Sequence, residues 1–176
     1  MTEVTLPARF DGLEMVRGLR LPARLEFTYT AGQATTRFLT HLAEKRIVGQ
    51  RCPSCRKVYV PPRGACPTCG VPTTDEVVLA NTGTVTSFCI VNVAFYGGSM
   101  ELPYVSALIL PDGADIPLMH LIQEIPAADV HMGMRVEAVW VDEDADGRVP
   151  PSLESIRHFR PNGEPDADPA TYADHV

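Results

Sequence analysis

Apolar and polar positions change period several times along the chain, and each change marks an element. Residues 1–31 hold Pro7 and Pro22 and read as an extended arm, with Arg24 to Thr30 (R-L-E-F-T-Y-T) alternating like a short strand. From Gly32 to about Ile47 the period turns helical, with Phe38, Leu39, Leu42, Ala43 and Ile47 along one side. Thr30 or Gly32 is expected to start this helix and Gly49 to end it. Residues 48–72 lack a helical or strand period long enough to build a core. Beyond them come five apolar, β-branched runs: Thr84 to Phe95, Tyr104 to Leu110, Ile116 to Ile125, Arg135 to Val141 and Leu153 to Phe159. Turn signals separate them at Asn81 to Gly83, Tyr96 to Met100, Pro111-Asp112-Gly113 and Asp142 to Arg148, and Pro126 to His131 reads as a short helical turn.

Five strands with a helical insert between the third and fourth give the order of an OB-fold barrel over residues 73–160. A five-stranded Greek-key sheet of another kind shares the pattern. The expected class is therefore mainly β with an N-terminal helix. The last stretch, 161–176, carries four acidic residues and no Lys or Arg, and is expected to be disordered or to dock only on a partner.

Residues 48–72 acquire a meaning through their cysteines. Cys52 and Cys55 form one C-x-x-C pair and Cys66 and Cys69 a second, with ten residues between the pairs, enough for a hairpin. Two thiolates from each tight turn converge on one ion and complete a tetrahedron, so this is the spacing of a rubredoxin-like zinc ribbon with four cysteine ligands. Pro53 and Pro67 sit at matching places, and Gly70 follows the second pair where Arg56 follows the first. Four thiolates leave no position for substrate, so the ion is expected to be structural. A rubredoxin-like iron site uses similar spacing; the lack of a flavin or nicotinamide motif favours zinc. Cys89 stands alone in an apolar run and is expected to be a small buried hydrophobe.

Composition narrows the function classes. There is no apolar run of the ~20 residues needed to span a bilayer, and Met1 does not lead into a secretory signal, so a cytoplasmic protein is expected. The net charge of -7 is uneven. Arg37, Lys45, Arg46, Arg51, Arg56, Lys57 and Arg63 face only Glu44 in their segment, which carries +6 against -13 for the rest. A local basic field on an acidic protein suits a phosphate-bearing small ligand or an acidic partner surface. No histidine stands in a catalytic motif. His120, in a predicted strand, reads as a core residue, and Asp142 to Asp146 as a solvated hairpin tip.

The stretch R-I-V-G-Q-R-C-P-S-C-R-K-V-Y-V-P-P-R-G-A-C-P-T-C-G (Arg46 to Gly70) resembles the OB-fold proteins with a rubredoxin-like zinc ribbon that accompany thiolase-like enzymes. F-T-Y-T-A-G at Phe27 to Gly32, R-F-L at Arg37 to Leu39, G-T-V-T-S-F at Gly83 to Phe88 and G-M-R-V at Gly133 to Val136 fit the same family. Arg56, where the family commonly has Gly, is the main departure. The resemblance implies a non-catalytic accessory subunit. It would complete a thiolase-fold partner, a lipid-transfer or sterol-carrier-type thiolase or a steroid side-chain aldolase, acting on acyl-CoA thioesters. Arginine forks bind the phosphates of coenzyme A well, so Arg51, Lys57 and Arg63 are candidates for contacting either acyl-CoA or acidic residues of the partner.

Two rival classes stand beside this. OB folds and zinc ribbons also bind nucleic acids, but a pI near 5.2 and few basic residues in the barrel region oppose that. A stand-alone CoA-thioester hydrolase would need His120 as its base.

Overall fold

The computed structural model describes residues 8, 11–12, 25–26, 28, 30–94 and 100–176. The chain divides into two units, Met1–Thr30 and Ala31–Val176. In the first, the Asp11 amide donates to the Ala8 carbonyl at 3.0 Å. Of the Arg24 to Thr30 strand expectation, Arg24, Phe27 and Tyr29 lie outside the described residues, and Leu25, Glu26, Thr28 and Thr30 are described but belong to no strand; all but Met100 of the loop expected at Tyr96 to Met100 also lies outside the described residues.

The second unit opens with helix α1, Gln33–Ala43, with Gly32 at its N-cap and Phe38, Leu42 and Ala43 buried. It ends earlier than Gly49. Glu44 and Arg46 amides both bond the His41 carbonyl, and Lys45 turns into the left-handed region at φ 55°. Ile47 leaves the helix but is still buried, as the first residue of the connection to a strand. Gly49 instead lies in that strand because β1 and β2 approach closely there. A Cβ at Gly49 would meet Val58 Cγ1 at 2.9 Å and the Tyr59 carbonyl at 3.0 Å.

Strands β1 (Val48–Arg51), β2 (Val58–Tyr59) and β3 (Asp75–Val78) form a small antiparallel sheet in the order β2-β1-β3. β3 falls inside the stretch expected to form the barrel, yet it pairs with β1. The barrel is made by β4 (Thr82–Val91), β5 (Tyr104–Pro111), β6 (Leu118–Ile122), β7 (Arg135–Trp140) and β8 (Ile156–Pro161), closed in the order β4-β5-β6-β8-β7. A single-turn helix, Ala127–Asp129, sits between β6 and β7. This is the OB-fold connectivity. Alternation is clean on β5, where Val105, Ala107 and Ile109 point inward. β4 bends at a register shift between Val85 and Ser87.

One core joins helix, ribbon and barrel: Phe38, Leu42, Val58, Val60, Val85, Ile109, Val136 and Phe159 belong to the same buried cluster. Polar contacts lock the pieces. Asp115, in the β5–β6 connection, accepts the Val58 amide at 2.8 Å through its carboxylate, and its own amide donates to the Val58 carbonyl at 3.0 Å. Arg37 on α1 grips Glu76 on β3 with two bonds of 2.6 and 2.8 Å, and His41 Nε2 lies 3.2 Å from the same carboxylate.

That grip has a measurable signature. The Arg37 hydrogen bonds hold the Glu76 carboxyl down at about 2, against its ordinary 4.5. Stability from this charge is complete above pH 4.5 and disappears as pH falls through about 2. Glu76→Gln should therefore be less stable than the parent at pH 7, and the gap should shrink below pH 4.5 and close near pH 2. Urea melts across that range check it; a gap independent of pH would show that the charge is not what binds α1 to the sheet.

Residues 161–176 are not the disordered tail expected from their acidity. Short turns at Pro169–Thr171 and Ala173–His175 follow β8, and Tyr172 is buried. The Ala167 amide donates to the Gly133 carbonyl at 2.9 Å. The acidic side chains find cations on the barrel: Glu164 pairs with Arg135 at 3.0 Å and Asp166 with His131 at 3.0 Å. Among the described residues no helix is long and apolar enough to cross a membrane.

Candidate metal centre and its surroundings

The two knuckles are built alike from the backbone outward. In the first, the Cys52 amide donates to Lys57 O (2.8 Å) and the Arg56 amide to Cys52 O (3.0 Å); in the second, the Cys66 amide donates to Val71 O (2.8 Å) and the Gly70 amide to Cys66 O (2.9 Å). Each turn closes on a left-handed residue, Arg56 at φ 68° and Gly70 at φ 69°. Inside each, an amide points at the leading sulfur: Cys55 N to Cys52 Sγ and Cys69 N to Cys66 Sγ, both 3.4 Å. Such donors favour thiolates over thiols.

The four sulfurs of Cys52, Cys55, Cys66 and Cys69 lie within 4.8 Å of one another. Tetrahedral thiolate coordination at about 2.3 Å places sulfurs roughly 3.8 Å apart, and Cys55 Sγ to Cys66 Sγ is 3.7 Å. The residues therefore fit a metal ion, with all four positions filled by protein. Tyr59 adds a contact that the spacing of cysteines does not reveal: its hydroxyl lies 3.2 Å from Cys66 Sγ and holds that thiol down at about 6. Val71 and Ile116, the latter from the β5–β6 connection, pack on this cluster. The metal site thus rests against a connection of the barrel.

Arg56 pays a steric penalty that Gly70 avoids, since a left-handed non-glycine residue costs roughly 1–2 kcal/mol, partly offset by the lower entropy of its unfolded chain. Arg56→Gly should raise stability by about 0.5–1 kcal/mol and leave metal content unchanged. A urea midpoint equal to or below that of the parent would mean that the Arg56 side chain contributes more than its backbone strain removes.

The basic segment is largely neutralised. Arg37 pairs with Glu76, Lys45 with Glu143, Arg46 with Glu44 and Arg51 with Asp75. Arg56, Lys57 and Arg63 are exposed and have no ion pair among the described residues. Arg51 and Lys57 flank the first knuckle, where Arg51 faces Val58 in register. Arg63 lies past β2, beside Gly64, whose amide donates to the buried Gln50 side chain at 3.3 Å. The three candidates therefore come from two ends of the ribbon.

Cys89 is exposed on β4, not buried as expected. Its neighbours Phe88 and Ile90 pack against the core, and the alternation of the strand leaves Cys89 between them on the outer side. His120 sits on β6 with Nδ1 accepting the Leu121 amide at 2.9 Å and its ring edge-on to Phe159. Burial, with nearby His158, pushes its pKa below the ordinary value.

Family models match both parts of the chain: the rubredoxin-like zinc ribbon domain of ChsH2 over residues 40–75 and the C-terminal OB-fold domain of ChsH2 over residues 76–141. The second match stops before β8, the strand that closes the barrel. A DUF35 domain-containing scaffold protein from Methanocaldococcus jannaschii is 38% identical over 114 residues, covering 62% of this chain and 79% of the relative. A probable enoyl-CoA hydratase alpha subunit from Thermomonospora curvata is 32% identical over 108 residues, 61% of this chain but one third (33%) of that longer protein. Among solved structures, a chain of an Ltp2-ChsH2(DUF35) aldolase superposes with a TM-score of 0.57 at 27% identity, covering 76% of this chain and 98% of that one. A DUF35-family protein of unknown function from Sulfolobus solfataricus shares the fold, with a TM-score of 0.52 at 24% identity over 61% of this chain and 78% of that one.

Proposed function

The chain belongs to the DUF35 family of zinc-ribbon and OB-fold proteins, and from that premise we propose that it is a non-catalytic accessory subunit of a thiolase-fold enzyme acting on acyl-CoA thioesters. The observation that carries the reading is the likeness to the Ltp2-ChsH2(DUF35) aldolase, which extends over 98% of the compared chain. In this reading the cysteines hold a structural Zn²⁺ that fixes the β1–β2 hairpin, and the reacting groups belong to the larger subunit. The substrate is a steroid or lipid side-chain thioester. Arg51, Lys57 and Arg63 contact either the coenzyme A phosphates or acidic residues of the partner. The cations without ion pairs support the phosphate role best at Lys57 and Arg63, because Arg51 already has Asp75 at 3.4 Å.

The surface argues against the rivals. The outer face of β5 and β6, the usual nucleic-acid platform of an OB barrel, presents Tyr104, Ser106, Leu108, Met119 and Leu121 without a cation. For the hydrolase reading, His120 Nδ1 is occupied by its neighbour's amide and no carboxylate is paired with the ring among the described residues.

Co-expression with each thiolase-fold protein of the source genome, followed by size-exclusion chromatography and a CoA-thioester cleavage assay, tests this. One such protein should co-elute with the chain and be active or stable only in its presence. Turnover by the chain alone, or salt-sensitive binding to single-stranded DNA, would replace the proposal.

A further inference from the structure

The two knuckles share their backbone plan and differ in two places. Cys52 and Cys66 are both buried, at 0% and 1% exposure, and each sulfur accepts the amide three residues on at 3.4 Å. Seven residues after each of these cysteines stands a buried hydroxyl, Tyr59 after the first and Thr73 after the second. The two hydroxyls have different partners. Tyr59 Oη lies 3.2 Å from Cys66 Sγ, whereas Thr73 Oγ1 donates to Gln50 Oε1 at 3.1 Å. Among the described residues no hydroxyl reaches Cys52 Sγ. The second difference is at the turns. The first knuckle closes on Arg56 at φ 68°, where a side chain is strained, and the second on Gly70 at φ 69°, where none is.

A thiolate bound to a metal ion has no proton, so with the ion in place the Tyr59 hydroxyl is the donor and Cys66 Sγ the acceptor. That bond draws charge off one sulfur of a set of four thiolates and fixes its orientation. The ring that carries the hydroxyl is itself held. Tyr59 faces Gln50 in the β1–β2 ladder, and its neighbour Val58 is bonded to Asp115 through both backbone groups. Cys66 thus has a rigid side-chain donor and an unstrained turn, and Cys52 has neither.

We propose that Tyr59 is a positioning residue of the metal centre, whose hydroxyl anchors Cys66 so that Cys52 and Cys55 let go of the ion before Cys66 and Cys69 do. Hydrogen-bond partners behind metal ligands set their orientation and basicity, and losing one costs about 10- to 100-fold in metal affinity. A packing role would need the Tyr59 ring, which lies in the buried cluster with Cys52 and Cys66, but not its hydroxyl.

The full chain loaded with Zn²⁺ tests this. In a time course of alkylation by N-ethylmaleimide, read by peptide mass spectrometry, Cys55 should take label before Cys69. The two are matched in burial, and exposed Cys89 supplies the rate of a free thiol. Tyr59→Phe keeps the ring and removes the hydroxyl. It should give up Zn²⁺ to a competing chelator about 10-fold more readily than the parent and label Cys55 and Cys69 at similar rates. With Co²⁺ in place of Zn²⁺, its sulfur-to-metal charge-transfer bands should move to lower energy, which a packing role would not cause. Labelling of Cys69 before or together with Cys55 in the parent overturns the proposal whether or not the variant folds, as does a parent that takes up no Zn²⁺. A folded Tyr59→Phe with Zn²⁺ affinity within about twofold of the parent's, or with unmoved Co²⁺ bands, overturns it as well.

Discussion

Cys66→Ser will abolish stoichiometric metal binding and lower stability by about 4 kcal/mol or more, the range reserved for loss of a metal or a core. Three features of the site make the effect larger than loss of one ligand. Cys66 is 1% exposed and is the sulfur that receives both the Tyr59 hydroxyl and the Cys69 amide; a serine there leaves donors aimed at a poor ligand. The coordination set is closed, so three remaining thiolates must take water into a buried position. The knuckles also pack on Ile116, and β2 is held to the barrel through both backbone groups of Val58. Disorder in the ribbon therefore removes a wall of the common core. Cys89→Ser, on the exposed face of β4, is the control and should match the parent. Metal analysis of the purified protein with thermal melts decides the matter, and it also separates zinc from iron, which would colour the sample. A Cys66→Ser protein that melts with the parent would mean that the ribbon folds without its ion.

What the sequence made legible was whatever a local pattern encodes. Two C-x-x-C pairs at hairpin separation lead directly to four sulfurs within 4.8 Å. The apolar run Tyr104 to Leu110 leads to a half-buried barrel strand, and the order of five runs leads to the OB connectivity. The misread features depend on partners far away in the chain. Nothing near Lys45 announces a left-handed helix end, because the usual glycine is absent. The acidic residues after Pro161 look solvated until Arg135 and His131 are placed opposite them. The basic segment looked like an open field, yet four of its seven cations meet Glu76, Glu143, Glu44 and Asp75, three of them well outside the segment. Asp115 gave no signal at all. Its role exists only because the β5–β6 connection passes beside the edge of β2.

Phe159→Ala should cost about 3–5 kcal/mol, the range for removing a buried phenylalanine ring. The position is 0% exposed and has the largest fully buried side chain in the barrel. It also sits where the barrel closes. β8 runs parallel to β6 with Phe159 opposite Ile122, and antiparallel to β7 with Phe159 opposite Ala138, while its carbonyl accepts the Gln123 amide at 2.9 Å. The described β6–β8 pairing has that one register partner, so the ring supplies much of what holds the seam. On its other side it meets His120 edge-on, with centroids 5.5 Å apart. An alanine leaves an apolar void between β6 and β8 that neighbouring strands, fixed by their ladders, cannot collapse to fill. Phe159→Leu, which keeps most of the volume, should cost less than half as much. Urea denaturation measures both, and the thiolates being untouched, metal content should stay at the parent's level wherever the variant is folded. His120 gives a second readout by NMR. Its pKa is lowered chiefly by burial, so opening the space beside it should move that pKa back toward 6.5, whereas an unchanged His120 with a loss below about 1 kcal/mol would show that the seam is held by other contacts.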